Sequence, residues 1–234
     1  MSVWIFLSGI IAPALFWTGY FYYKDRFQPE PVIKLGVSYI YGILTAAACV
    51  QFFRILLLIK IPDDPIFLLE KSRILFLLYS IFITGIVEEL FKFLPFLIVA
   101  LHFKDFDEIT DGVIYSSIIA LGFASYENFY YLRFLEGFAL FGRAFASPLS
   151  HTIFASIWGY LAGKAKMEGK PLLKPALIGL ALAALCHGLF NFLTTSPVLR
   201  IGAALLILGV WIWRIRVLEI RDIPKGDTLP PASP

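Results

Sequence analysis

The stretch Ile74-Leu-Phe-Leu-Leu-Tyr79-Ser-Ile-Phe-Ile-Thr84-Gly-Ile-Val-Glu88-Glu89-Leu-Phe-Lys92-Phe-Leu-Pro95-Phe-Leu-Ile-Val-Ala100-Leu-His-Phe103 decides the fold. Its apolar residues run without a break long enough for a water-facing surface, and about 20 such residues at ~1.5 Å each cross a ~30 Å hydrocarbon layer. Inside it sit Glu88, Glu89 and Lys92. A charge near a bilayer centre costs at least ~2.5 kcal/mol, so ionisable residues there face a bundle interior and mark function.

The rest of the chain agrees with a membrane setting. Its 234 residues are 59% hydrophobic and 17% aromatic, with a mean hydropathy of +0.79. An ordinary soluble domain is about 45–50% apolar. The reading is all-α: a polytopic transmembrane helical bundle with the lipid bilayer as its partner and no nucleic acid. The first span runs to about Tyr23. It has no basic segment before it and is longer than a signal-peptide core, so it is expected to stay as a span. Later spans are expected near Gly36–Leu58, Ile74–Leu101, Gly112–Leu132, Pro148–Gly163, Pro175–Leu193 and Ile201–Val217, making seven. Residues Pro65–Ser80 mix apolar residues with Glu70, Lys71 and Arg73 and are read as lying along the outer interface. The true crossing would then begin near Ile81, with Glu88 roughly two turns below the outer surface.

Orientation follows from the loops. With the N-terminus outside, the inside segments carry Lys24, Arg26, Lys34, Lys104, Lys164, Lys166, Lys170, Lys174, Arg214, Arg216, Arg221 and Lys225. Only Lys60, Lys71, Arg73, Arg133 and Arg143 lie outside. Twelve against five places the C-terminus in the cytoplasm of a cell membrane, bacterial or archaeal. Residues 1–221 are read as one transmembrane domain and residues 222–234 as a disordered cytoplasmic tail. Cys49 and Cys186 both fall inside spans, so neither suggests a disulfide framework. The sequence gives no signal for oligomeric state.

Four consecutive spans carry polar groups toward one side: Glu88, Glu89 and Lys92; then Glu127 and Asn128; then His151; then His187 and Asn191, which share a helix face at a spacing of four. Imidazoles and carboxylates with one position left for water suit zinc. Glu127, His151 and His187 are the candidate metal ligands. Without a metal, Glu88 or Glu89 can act as general base, Lys92 can hold the other carboxylate ionised, and Asn128 and Asn191 can donate to an oxyanion. Simpler readings stand beside these: a structural ion pair for Glu88, Glu89 and Lys92, interhelical hydrogen bonds for His187 and Asn191, a core histidine at His151, and a Glu127–Arg133 surface pair.

These motifs resemble a known family. Glu88-Glu89-Leu-Phe-Lys92, Phe123-x-x-x-Glu127-Asn128, Ser150-His151 and His187-Gly-x-x-Asn191-Phe192 are similar, in order and spacing over residues 15–195, to the motifs of the PrsW family of intramembrane proteases. Asp25-Arg26-Phe-Gln-Pro29-Glu30-Pro31 resembles that family's Asp-x-x-x-Pro-Glu-Pro signature. A more distant similarity is to the CAAX prenyl endopeptidases, whose second motif usually ends in histidine where this chain has Glu127. The resemblance implies a metalloprotease-like enzyme that hydrolyses a membrane-anchored protein, an anti-sigma factor, on its extracytoplasmic side. Glu88 and Glu89 would supply base and positioning, His151, Glu127 and His187 the water or zinc, and Asn191 the oxyanion donor.

The alternative from another class is a proton-coupled transporter or channel that uses the buried carboxylates and histidines as a relay. The inverted repeats common in transporters are absent from this sequence. A thiol mechanism at Cys186 is weaker, because Cys186 and His187 are adjacent and point about 100° apart on a helix.

Overall fold

The computed structural model describes residues 3–26, 28–58 and 66–219. Within these residues every regular element is helical. The helices are α1 (Val3–Lys24), α2 (Val32–Leu58), the short α3 (Ile66–Lys71), α4 (Arg73–Tyr79), α5 (Ile86–Ile98), α6 (Ile109–Tyr131), α7 (Gly137–Met167), α8 (Leu173–Leu193) and α9 (Arg200–Glu219). The expected tail, 222–234, lies outside the described residues.

The bundle is built around α6, in which every side chain from Asp111 to Ser125 is buried. Helices α2 and α7 flank it, α1 packs on both α6 and α7, and α8 packs on α7. Small residues set these approaches, because in lipid it is close van der Waals packing that joins helices. A Cβ on Gly42 would collide with the Ile119 backbone, and one on Gly122 with the Tyr39 backbone, so α2 and α6 cross in near backbone contact. Gly112 and Gly159 do the same for α6 and α7. The other helices bury one stripe and leave rows such as Ile33, Ile40 and Leu44 on α2, or Leu173, Leu177 and Leu182 on α8, facing outward. That is an unfavourable surface in water and the natural one in a bilayer.

Five helices among the described residues are long and apolar enough to cross a membrane by length and composition: Val3–Lys24, Val32–Leu58, Arg73–His102, Ile109–Phe134 and Leu173–Leu193. The chain is therefore a multi-pass membrane protein. Of the expected seven spans, the fifth and seventh correspond to α7 and α9, which form as helices but are not among these five.

Two local readings change. The third apolar run breaks at Ser72, whose hydroxyl caps α4 by accepting from Leu75 N at 3.5 Å. From Arg73 the helix runs on past Ile81 without a break, and the chain widens there into a π-helical turn, Ser80–Gly85. The second change is at Pro148, which does not open a helix but lies inside the 31-residue α7. A proline inside a buried bundle helix is tolerated because neighbouring groups re-satisfy the freed backbone. His151 is thereby about 20 Å along α7 from its start, at ~1.5 Å per residue.

Candidate active site

The π turn is where the site begins. Gly85 lies so close to α8 that a Cβ would sit 2.5 Å from the Ala184 carbonyl oxygen, and a Cβ on Gly188 would sit 2.5 Å from the Ser80 carbonyl oxygen. Two missing side chains therefore let α8 lie directly on the π turn. Single π turns inside α-helices recur at functional sites. This one places Glu88 and Glu89, in the first turn of α5, beside His187, the residue before Gly188.

Glu89 is completely enclosed, and its charge is met on three sides. Lys92 Nζ donates to Oε1 at 2.7 Å, Trp158 Nε1 donates to Oε2 at 3.0 Å, and His187 Nδ1 lies 2.9 Å from Oε1. Phe93 and Phe96 pack edge-on against the Trp158 ring and fix it. Lys92, also enclosed, lies 4.7 Å above the Phe123 ring and 3.8 Å from Glu88 Oε2.

Glu88 differs from its neighbour. Its Oε2 is buried without a hydrogen-bond partner and lies 3.5 Å from His187 Nε2. His151 approaches from α7 with its ring 4.9 Å from that of His187, nearly perpendicular. Its Nε2 is 3.0 Å from Glu127 Oε2, and its Nδ1 is buried and unpartnered. Glu127 is anchored in turn by Arg143 at 3.5 Å rather than by Arg133. Arg133 bonds to the Phe129 carbonyl instead.

The arrangement repeats a logic familiar from metal sites, in which one ring nitrogen is held by a carboxylate so that the other presents its lone pair. Glu89 holds His187 Nδ1, and Glu127 holds His151 Nε2. One ligand atom each from Glu88, His151 and His187 all lie within 4.8 Å of one another. With three carboxylates against two cations, Lys92 and Arg143, and two buried atoms left unpartnered at Glu88 and His151, a divalent cation fits both the charge and the donor set. Glu127, expected as a third ligand, stands one contact further out, on His151.

Among the described residues no hydrogen bond links either asparagine side chain to this group. Asn128 Nδ2 donates to the Ala144 carbonyl at 3.3 Å and leaves Oδ1 buried without a partner. Asn191 is half-buried, one turn beyond His187. Residues not singled out in the sequence also take part: Trp158 and Arg143. Each sits on an apolar or interfacial stretch of α7 where its side chain reads as packing or as a surface charge.

Comparison with known proteins now bears on this geometry. Residues 30–217 match the model of the PrsW family of intramembrane metalloproteases. The chain belongs to the PrsW family. It is 33% identical to a protein named Protease PrsW from Oceanobacillus iheyensis over 187 residues, covering 80% of this chain and 81% of that one. It is 29% identical to Protease PrsW of Bacillus subtilis, covering 81% and 83%, and 26% identical to that of Geobacillus kaustophilus, covering 97% of both. No solved structure matches. The chain is thus a membrane-embedded protease of the PrsW family, multi-pass in the cell membrane.

The Asp-x-x-x-Pro-Glu-Pro segment of this PrsW protease folds at the opposite end of the bundle. Asp25 Oδ2 accepts from Glu30 N at 2.8 Å, and the Tyr115 hydroxyl donates to Glu30 Oε2 in a short bond. Asp111, one turn below Tyr115, accepts from Asp107 N at 2.8 Å and Glu108 N at 2.6 Å, capping α6. Burial, opposed by the bond from Glu30 N, pushes the Asp25 carboxyl up to about 7. Burial, opposed by the Tyr115 hydroxyl and aided by Asp111, pushes Glu30 up to about 8. The segment ties the α1–α2 connection to the start of α6, more than a dozen residues along α6 from Glu127.

Proposed function

We propose that this protease hydrolyses a peptide bond in a membrane-anchored, anti-sigma-factor-like protein on the extracytoplasmic side, with Glu88 taking the proton of the attacking water. The observation that carries the reading is the unpartnered, buried Oε2 of Glu88 facing His187 Nε2 while every oxygen of Glu89 is engaged. A base must be free at the reacting point, and an orienting group must not be. Glu88 is the free carboxylate and Glu89 the orienting one.

The remaining roles follow from what each atom touches. Glu89 accepts from His187 Nδ1–H and leaves Nε2 bare toward Glu88. Glu127 accepts from His151 Nε2–H and leaves Nδ1 bare. Lys92 pairs with Glu89 at 2.7 Å, and Arg143 with Glu127 at 3.5 Å. His151 and His187 would hold a divalent ion such as zinc beside Glu88, which when bound supplies Lewis acidity and brings the pKa of a water toward ~7. Asn191, one turn beyond His187, is the amide donor for the oxyanion that forms when a carbonyl is attacked.

The placement of the site supports an extracytoplasmic cut. Glu127 is about 6 Å and His187 about 9 Å from the ends of α6 and α8, at ~1.5 Å per residue. Those ends lie opposite to the one where Lys24, Arg26, Lys34, Lys104, Lys164 and Lys166 gather, and basic loops stay in the cytoplasm. A juxtamembrane segment of a substrate reaches such a depth with little unwinding.

The test is cleavage of a tagged single-pass substrate by the purified chain in proteoliposomes. The wild type is expected to cut near the outer membrane boundary, and Glu88→Gln to leave the substrate whole. Cutting by Glu88→Gln at the wild-type rate overturns the reading.

A further inference from the structure

Arg214, on α9, is 2% exposed, and no carboxylate among the described residues lies within ion-pair distance of it. Its Nη2 donates to Ser117 Oγ at 3.0 Å, and its guanidinium lies 4.5 Å over the Phe21 ring. Nε and Nη1 are buried with no partner. A guanidinium cannot shed its charge to escape this, and a buried, unpaired charge costs several kcal/mol. A neutral hydroxyl and a ring face do not replace a counter-ion.

The surroundings bear on what could supply that counter-ion. Trp17 Nε1, on α1, is a further buried donor without an acceptor. Trp17 and Tyr20 meet Trp211 of α9 ring to ring, at 5.9 and 5.4 Å, so aromatic side chains separate the two helices here. Trp211, Trp213 and Arg216 flank Arg214 in sequence, and Tyr22, Tyr23 and Lys24 close α1. Aromatic and basic residues gathered at helix ends mark the headgroup level of a bilayer. Arg214 is about 7–8 Å from the last residue of α9 at ~1.5 Å per residue, just inside that level. Basic pockets between helices on the cytoplasmic side take up lipid headgroups.

We infer that Arg214, with Ser117 and the Trp17 indole, forms a binding site between α1 and α9 for the phosphodiester of a phospholipid from the leaflet at the basic end of the bundle. A phosphate supplies acceptor oxygens to a planar guanidinium fork and neutralises its charge. The lipid would join α9 to α1 and α6, a junction that the described residues leave electrostatically incomplete. The site lies away from the Glu88 cluster and does not depend on the function proposed for it.

The full-length protein, stripped of lipid by repeated detergent exchange, is titrated with phosphatidylglycerol, with diacylglycerol of the same acyl chains, and with inorganic phosphate. Native mass spectrometry counts bound lipid, and thermal unfolding reads stability. Phosphatidylglycerol is expected to bind and raise Tm where diacylglycerol does not. Arg214→Gln is expected to weaken that binding roughly tenfold or more, the scale of a lost charge-assisted hydrogen bond, while Lys170→Gln at the surface leaves it unchanged. Arg214-dependent stabilisation by inorganic phosphate as strong as that by the lipid would keep the oxyanion site but overturn its lipid source. Equal binding of phosphatidylglycerol and diacylglycerol, or unchanged binding in Arg214→Gln, overturns the site itself. If Arg214→Gln does not fold, the wild-type comparison of the two lipids and the milder Ser117→Ala decide the same question.

Discussion

Glu89 and His187, 98 positions apart in the chain, meet with Oε1 and Nδ1 at 2.9 Å in a fully enclosed contact. This contact sets which imidazole nitrogen faces Glu88, and hence which carboxylate of the adjacent pair is left to react.

The two glutamates should therefore fail differently. Glu88→Gln keeps the shape and loses the basic oxygen, and the contacts it gives up are long, 3.8 Å to Lys92 and 3.5 Å to His187, so activity should fall by about 10²–10⁴-fold with Tm little changed. Glu89→Gln should also abolish cleavage, but it strips the enclosed Lys92 of its closest partner, at 2.7 Å. Breaking a buried pair costs about 3–5 kcal/mol. Parallel cleavage assays and thermal unfolding in detergent separate the two; equal stability loss in both variants would contradict the division of roles.

Elemental analysis of purified protein tests the metal arrangement. Near-stoichiometric divalent metal is expected in the wild type and its loss in both His151→Ala and His187→Ala. Glu127→Gln, one contact further out, should weaken metal affinity by roughly 10–100-fold without abolishing it. An active preparation free of metal would leave water activation to Glu88 alone.

The seat of α8 on the π turn can be disturbed without touching a charged group. Gly188→Ala forces a methyl toward the Ser80 carbonyl, and overpacking of this kind costs about 1–3 kcal/mol. Activity should fall further than stability, because His187 moves with α8. Gly209→Ala, with open space around its Cβ position, is the neutral control in the same assays. Wild-type cleavage by Gly188→Ala would show that the fit of α8 on the turn does not set the site.

The acidic segment at the other end should make stability depend on pH. Glu30 is raised to about 8 and Asp25 to about 7, so the folded protein holds protons that the unfolded chain releases near 4–4.5. Their contribution is fully present below about pH 4 and is lost as pH rises through 7 to 8. The groups facing them are Asp107, Glu108, Asp111, Tyr115 and, from α7, Lys166, which bonds the Leu101 and Phe106 carbonyls. Unfolding temperatures between pH 5 and 8.5 should decline in the wild type and decline less in Glu30→Gln. Parallel slopes would refute the assignment.

Much of this was legible in one dimension, for identifiable reasons. Long apolar runs specify helices in a bilayer because no other open structure satisfies the backbone there. Charges as costly as Glu88, Glu89, His151 and His187 announce themselves against such a background. The span expected at Pro148–Gly163 starts later than α7 does, since the neighbours that let a helix run through Pro148 are unseen in one dimension. The π turn at Ser80–Gly85 has no sequence period of its own. Arg214 counted as a cytoplasmic charge, since nothing in Trp-Arg-Ile-Arg tells a buried guanidinium from a solvated one.

By itself, then, the sequence determined an all-helical membrane bundle and the polar residues that its helices carry inward, because hydrophobic length and the cost of intramembrane charge are local properties. The tertiary structure alone decided which oxygen, nitrogen and guanidinium remain unpaired. That depends on the approach of Gly85 and Gly188, on Trp158 and Lys92 closing over Glu89, and on Glu127 reaching His151, all of them contacts between residues distant in the chain.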